Sequence, residues 1–166
     1  MAQGAAFHEK QVRRSVELAY EAIRSGKGRP FGAVIVKEGA VVAEAHNEVL
    51  AQTDPTAHAE IVAIRRAAKA LGTHDLSGCV LYVNGLPCPM CYSAVKWARM
   101  HKVFYACTPA ELAQTTGIDD TELYGELAKP GPERTRPPAE QVLSVVAESL
   151  ACYRVWGEKI RSGSGR

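Results

Sequence analysis

Phe31-Gly32-Ala33-Val34-Ile35-Val36-Lys37-Glu38-Gly39-Ala40-Val41-Val42-Ala43-Glu44-Ala45 holds two β-rich runs, Phe31 to Val36 and Ala40 to Ala45, joined by Lys37, Glu38 and Gly39. A short glycine-containing connection between such runs is a hairpin signal, so these strands pair antiparallel. Upstream, Phe7, Val12, Val16, Ala19 and Ile23 recur at intervals of three to five between Ala5 and Arg24. That spacing predicts an amphipathic helix, broken by Ser25 to Gly28. Downstream, Asp54 or Thr56 is placed to cap a helix running through Ile61, Ile64, Ala68 and Leu71 to Gly72. Cys79 to Asn84 reads as a buried strand, and Gly85, Leu86 and Pro87 turn the chain into a second helix from Cys88 to about Met100. Val103 to Ala106 is another apolar strand. A hairpin followed by alternating helices and strands predicts a three-layer α/β/α domain around a mixed sheet. Lys129 to Pro138, rich in proline, reads as a linker or extended arm, followed by a last strand at about Gln141 to Glu148 and a helix carrying Tyr153 and Trp156. The tail Ser162 to Arg166 has nothing to bury.

At 166 residues the chain fits one domain, 1–166, with a sizeable core. A formal net charge of +2 provides no electrostatic footprint for nucleic acid, which needs clustered Lys and Arg. No apolar run approaches the roughly 20 residues that span a bilayer, and the first residues lack a signal-peptide pattern. An odd number of cysteines, five, scattered along a chain of this size does not make a disulfide framework and points to a reducing cytoplasm. A small-molecule ligand is the expected partner.

The chemistry lies in His58, Glu60, Cys88 and Cys91. Cysteines three apart at a helix start bring two sulfurs to one side of the first turn, where exposed N–H groups favour the thiolate. Adding one imidazole makes a set of two S and one N suited to tetrahedral zinc, with the fourth position left to water or hydroxide, the arrangement of a catalytic site. Zinc lowers the pKa of bound water from about 15.7 toward roughly 7. Glu60, two residues beyond His58, is the nearby carboxylate fixed by local spacing to move protons between water, substrate and leaving amine. Two blander readings compete. Pro-Cys-Pro-Met-Cys alone suits a redox pair, which needs no upstream His-x-Glu. A structural zinc site needs a fourth protein ligand, whereas Cys79, Cys107 and Cys152 lie in apolar contexts typical of small core residues.

His58-Ala59-Glu60 with Pro87-Cys88-Pro89-Met90-Cys91 is the H-x-E…P-C-x-x-C signature of zinc deaminases. With Pro30 to Val36, Asp54 to Glu60, Trp97-Ala98-Arg99 and Gly117-Ile118-Asp119-Asp120, the chain resembles the bacterial guanine deaminases of the cytidine deaminase superfamily over about residues 7 to 160. The resemblance implies a five-stranded mixed sheet between helix layers, one zinc per chain, and a homodimer whose C-terminal segment, about 130–166, crosses to its partner. It implies that Glu60 and Asp120 shuttle protons, that Asn47 hydrogen-bonds the ring, that Phe31 and Trp97 wall it, and that the Ala59 backbone touches it. Read without the resemblance, Phe31 and Trp97 are equally packing residues, Asp120 a cap for a helix near Thr121, and Asn47 a turn residue. The family has Ser-Cys-Glu where this chain has Asn84-Gly85-Leu86, which removes an acidic and a hydroxyl group beside the metal. The implied reaction is guanine to xanthine plus ammonia. The alternatives are deamination of another ring (aminopterin, triazine, cytosine-type or nucleoside) and a non-catalytic zinc-containing binding module.

Overall fold

Glu38 (φ 51°) and Gly39 (φ 83°), both in the left-handed region, close the hairpin between β1 (Gly32–Lys37) and β2 (Ala40–His46). A two-residue turn of this hand matches the twist of paired strands, and glycine removes the steric penalty at its second position. In the computed structural model, which describes residues 3–135 and 137–162, β1 also pairs antiparallel with β3 (Cys79–Gly85), and β3 pairs parallel with β4 (Lys102–Cys107). The sheet is mixed, with order β2-β1-β3-β4. The tail beyond Ser162 and Arg136 of the proline-rich stretch lie outside the described residues.

Period-two alternation divides the core. Ala33, Ile35, Cys79, Leu81 and Val83 face α3 (Ala59–Leu71) and α4 (Pro89–Trp97), packing with Val62, Ala63, Ala67 and Val95. Val34, Val36 and Tyr82 face the other way, onto Leu18 of α1 (Ala5–Ser25), with Phe7 and Val12 beside them. One sheet between two helical layers is the three-layer α/β fold. The helix predicted from Ala5 is present, but its buried stripe is Gln11, Ser15, Leu18, Ala19 and Ala22, while Val16 and Ile23 face solvent. Ser15 is tolerated inside because its hydroxyl donates to the Val12 carbonyl at 2.6 Å.

α1 is also pinned to the hairpin by charge. Arg14 Nε and Nη2 donate to the two oxygens of Glu44 at 3.0 and 2.8 Å, a bidentate fork. This bond holds the Glu44 carboxyl below its ordinary 4.5 against the opposing effect of burial. A depressed acid stabilises the fold above its unfolded value, and that contribution fades as pH falls through the lower folded value. With both side chains about a third exposed, Glu44→Gln should cost about 1 kcal/mol at pH 7 and almost nothing at pH 3, measured by urea unfolding. An equal loss at both pH values would contradict this account.

The residues divide into two compact units, one through Leu123 and the other from Tyr124. The first also holds a short helix α2 (Val49–Gln52) and α5 (Pro109–Thr116), the latter entered through a capping box between Thr108 and Glu111. Helix α6 (Thr121–Ala128) leads into the second unit. There, Thr135 donates its N–H to Glu126 at 3.0 Å, and Arg134 donates to the carbonyls of Lys129 and Leu127. The strand expected at 141–148 is not a strand. A 3-10 turn (Leu143–Val145) runs directly into α7 (Val146–Arg161), so the sheet has four strands, not five. A strand needs a ladder partner, and the segment finds none among the described residues. Val146, Ala147 and Glu148 are instead the first turn of a 16-residue helix. No described helix is long and apolar enough to cross a membrane.

Candidate metal and active site

Two helix starts supply the candidate ligands. His58 and Cys88 are the N-cap residues of α3 and α4, both with extended backbone and neither side chain capping its helix. The cap expected from Asp54 or Thr56 falls on His58 instead, because Asp54 closes its own turn by accepting from the Thr56 N–H and hydroxyl. Pro89 opens α4, where its missing N–H is no loss, and Cys91 lies one turn in, fully buried. His58 Nδ1 stands 3.7 Å from Cys88 Sγ and 3.5 Å from Cys91 Sγ. The three ligand atoms all lie within 4.8 Å of one another. Tetrahedral zinc with N and S ligands at about 2.0 and 2.3 Å separates them by about 3.6 Å, so this donor set fits zinc in both chemistry and spacing.

The charges are coupled. A hydrogen bond from the Cys91 thiol, and then one from His58, draws Cys88 down to about 4 in spite of burial. The same bond, with burial and the nearby Glu60, pushes Cys91 up, and Cys88 raises His58. Binding of a metal to ligands of these types displaces their protons. Glu60, 6% exposed, is pushed up by burial first and by the Cys88 thiolate next, against a bond from its own N–H and the charge of His58.

A cavity of about 80 Å³ opens onto this cluster, lined by Arg29, Phe31, Asn47, His58, Glu60, Leu86, Cys88, Leu112, Ile118 and Asp120. Asn47 is 1% exposed. Its Oδ1 accepts from the N–H groups of Arg29 (3.1 Å) and Val49 (3.2 Å), which fixes the amide orientation. Its Nδ2 is left buried with no partner. Gly28 makes that arrangement possible, since a Cβ there would lie 2.0 Å from the Asn47 carbonyl oxygen. Gly28→Ala should therefore lower the unfolding free energy by about 1 to 3 kcal/mol, as overpacking does, and raise the KM for substrate. An unchanged denaturation midpoint would show that the loop can yield.

Asp119 closes the turn into α6, accepting from Thr121 N–H at 2.8 Å, and Asp120 makes no such bond. This leaves Asp120 to line the cavity, its carboxyl raised by burial first and by Cys88 next. Ala59 is fully buried as the first residue of α3; it is not among the cavity-lining residues. Trp97 is 86% exposed and is not among the residues that line this cavity. Cys91, Val95 and Ala98 mark the inward side of α4, and position 97 points away from that stripe.

Residues 5–107 match the family model described as the cytidine and deoxycytidylate deaminase zinc-binding region. The chain belongs to this deaminase family. It is 47% identical over 149 residues to guanine deaminase of Bacillus subtilis (strain 168), covering 90% of this chain and 93% of that one. The crystal structure of guanine deaminase from Bacillus subtilis superposes with a TM-score of 0.84 over 91% of this chain and 94% of that one. NE0047 in complex with 2,6-diaminopurine is 31% identical, with a TM-score of 0.64 over 68% of this chain and 62% of that one. The tRNA-specific adenosine deaminase of Aquifex aeolicus is 43% identical over 62% of this chain and 66% of its own length.

Within this deaminase family the Asn84-Gly85-Leu86 departure has a structural content. Asn84 clamps the start of β1, accepting from Gly32 N–H at 3.0 Å and donating to the Pro30 carbonyl at 2.9 Å. Leu86, held by its N–H to the Cys107 carbonyl, gives the cavity an apolar wall. Arg29, Leu112 and Ile118 were not foreseen as wall residues; the last two come from α5 and the loop after it, which no local spacing ties to the metal cluster. Of the three remaining cysteines only Cys79 is a core residue, while Cys107 and Cys152 are exposed.

Proposed function

We propose that this chain is a zinc-dependent hydrolytic deaminase that converts guanine to xanthine and ammonia. It carries one zinc per chain on His58, Cys88 and Cys91, with the fourth position open to water. The observation that carries this reading is the His58-Cys88-Cys91 cluster with Glu60 beside it, in one cavity with the unpartnered Asn47 Nδ2. Its relatives include a guanine deaminase similar along nine-tenths of the chain. Bound there, zinc supplies water acidic enough to give up a proton near neutral pH. A Glu60 carboxylate oxygen takes that proton and hands it to the ring nitrogen beside the amine-bearing carbon. Burial raises its affinity for protons, which suits a group that must both take and give one. Asp120 shuttles the proton that lets the amine depart as ammonia. Asn47 Nδ2 donates to a ring acceptor, and Phe31 covers the ring face.

The enzyme is placed in the cytoplasm, where free cysteines stay reduced. It acts as a homodimer whose C-terminal segment, about 130–166, crosses to its partner. Leu150, Tyr153, Val155 and Trp156 of α7 are each about half exposed or more, a large apolar face for a lone chain. Sedimentation should give twice the 17.9 kDa chain mass; a monomer at micromolar concentration would contradict this. The functional test is ammonia release by zinc-loaded protein from guanine, guanosine, cytosine, cytidine, adenine, triazines and aminopterins. Release from guanine above all others is expected. Silence on guanine with release from another ring would overturn the substrate assignment.

A further inference from the structure

Arg29 has a fixed backbone and a free head. Its N–H donates to Asn47 Oδ1 at 3.1 Å, and its carbonyl accepts from Phe31 N–H at 2.8 Å. Arg13, Arg14, Arg65, Arg66 and Arg99 each pair with a carboxylate, and Arg24 lies over the Tyr20 ring. Among the described residues of this unit, Arg29 is the arginine whose guanidinium has neither kind of partner. It nevertheless lines the cavity, and its side chain reaches solvent, which puts it at the rim. The neighbouring walls Leu86, Leu112 and Ile118 are apolar and offer its N–H groups nothing to donate to. Asn47 Nδ2, likewise unpartnered in the cavity wall, is also a donor, whereas the acceptors lining the cavity, Glu60 and Asp120, are the groups given to proton transfer above.

We propose that Arg29 is a specificity-determining residue that reads an exocyclic oxygen on the outward edge of the ring, so that the site selects amino-oxo heterocycles over diamino ones. This rests on the deaminase reading above. A guanidinium presents donors alone, so a ring with an oxygen at that edge gains a charge-assisted bond, while a ring with an amine there sets donor against donor. Guanine and 2,6-diaminopurine differ at one such position, oxygen against amine, and form a matched pair.

The test is steady-state kinetics of the zinc-loaded enzyme, with guanine as substrate and 2,6-diaminopurine as competitor, in the natural chain, Arg29→Ala and Arg29→Lys. In Arg29→Ala the KM for guanine should rise about ten-fold, the size expected for one charged hydrogen bond at a partly solvated rim. The kcat and the inhibition constant of 2,6-diaminopurine should stay within about two-fold, and Arg29→Lys should fall between. An unchanged guanine KM, or equal weakening of both ligands, overturns the inference and leaves the deaminase reading standing. A natural chain that releases no ammonia from guanine overturns both.

Discussion

Glu60→Gln is expected to lower kcat for ammonia release by about a thousand-fold, within the range for losing a general acid–base group, while zinc stays at one per chain. Glutamine keeps the shape of the side chain and its capacity to accept from its own N–H, but it carries no proton to exchange. The site concentrates this task on one group. Glu60 is nearly sealed from solvent and sits against the Cys91 thiol, whereas Asp120 belongs to the loop before α6. Asp120→Asn should therefore be milder than Glu60→Gln. The check is metal analysis and ammonia release on the same preparation, since a variant that lost its metal would prove nothing about proton transfer. Full turnover by a zinc-loaded Glu60→Gln protein would refute the role.

The second large effect is on the metal. Cys91→Ala should reduce bound zinc to below about a tenth of an equivalent and abolish turnover, because two remaining donors cannot hold the ion as three do. Cys91 is fully buried one turn into α4, and no other described cysteine belongs to the cluster. Chelation of the natural protein should silence it in the same way and lower its melting temperature, as removal of any ligand that binds only the folded state does. Adding zinc back should restore the natural protein and not the variant. Zinc content and activity that survive Cys91→Ala would mean the ligand set is wrong.

Legibility in the sequence followed the range of the interactions. The hairpin at Lys37 to Ala40, the α3 and α4 helices and the β4 strand were readable because turn residues and apolar period lie within a few positions of each other. The metal cluster was readable because Cys88 and Cys91 share one turn, and His58 and Glu60 share another. What stayed hidden depends on contacts far apart in the chain. Val16 and Ile23 fit a helical stripe as well as Ser15 and Ala22 do, and only the packing against β1 and β3 decides which stripe is buried. Gln141 to Glu148 reads as a strand, but a strand exists only with a ladder partner, and helix formation claimed the run from Val146. Arg29, Leu112 and Ile118 reach the cavity by tertiary folding alone. The wall role of Trp97 rests on the resemblance alone, and the helical period turns its side chain outward from α4.

The central claim is that water adds to the amine-bearing carbon of guanine at the zinc-loaded site. The most direct test is to incubate zinc-loaded protein with guanine in water enriched in oxygen-18 and weigh the product by mass spectrometry. The account predicts xanthine carrying one solvent oxygen, with one ammonia released per xanthine formed. Guanine recovered unchanged, or a product without the label, would contradict it.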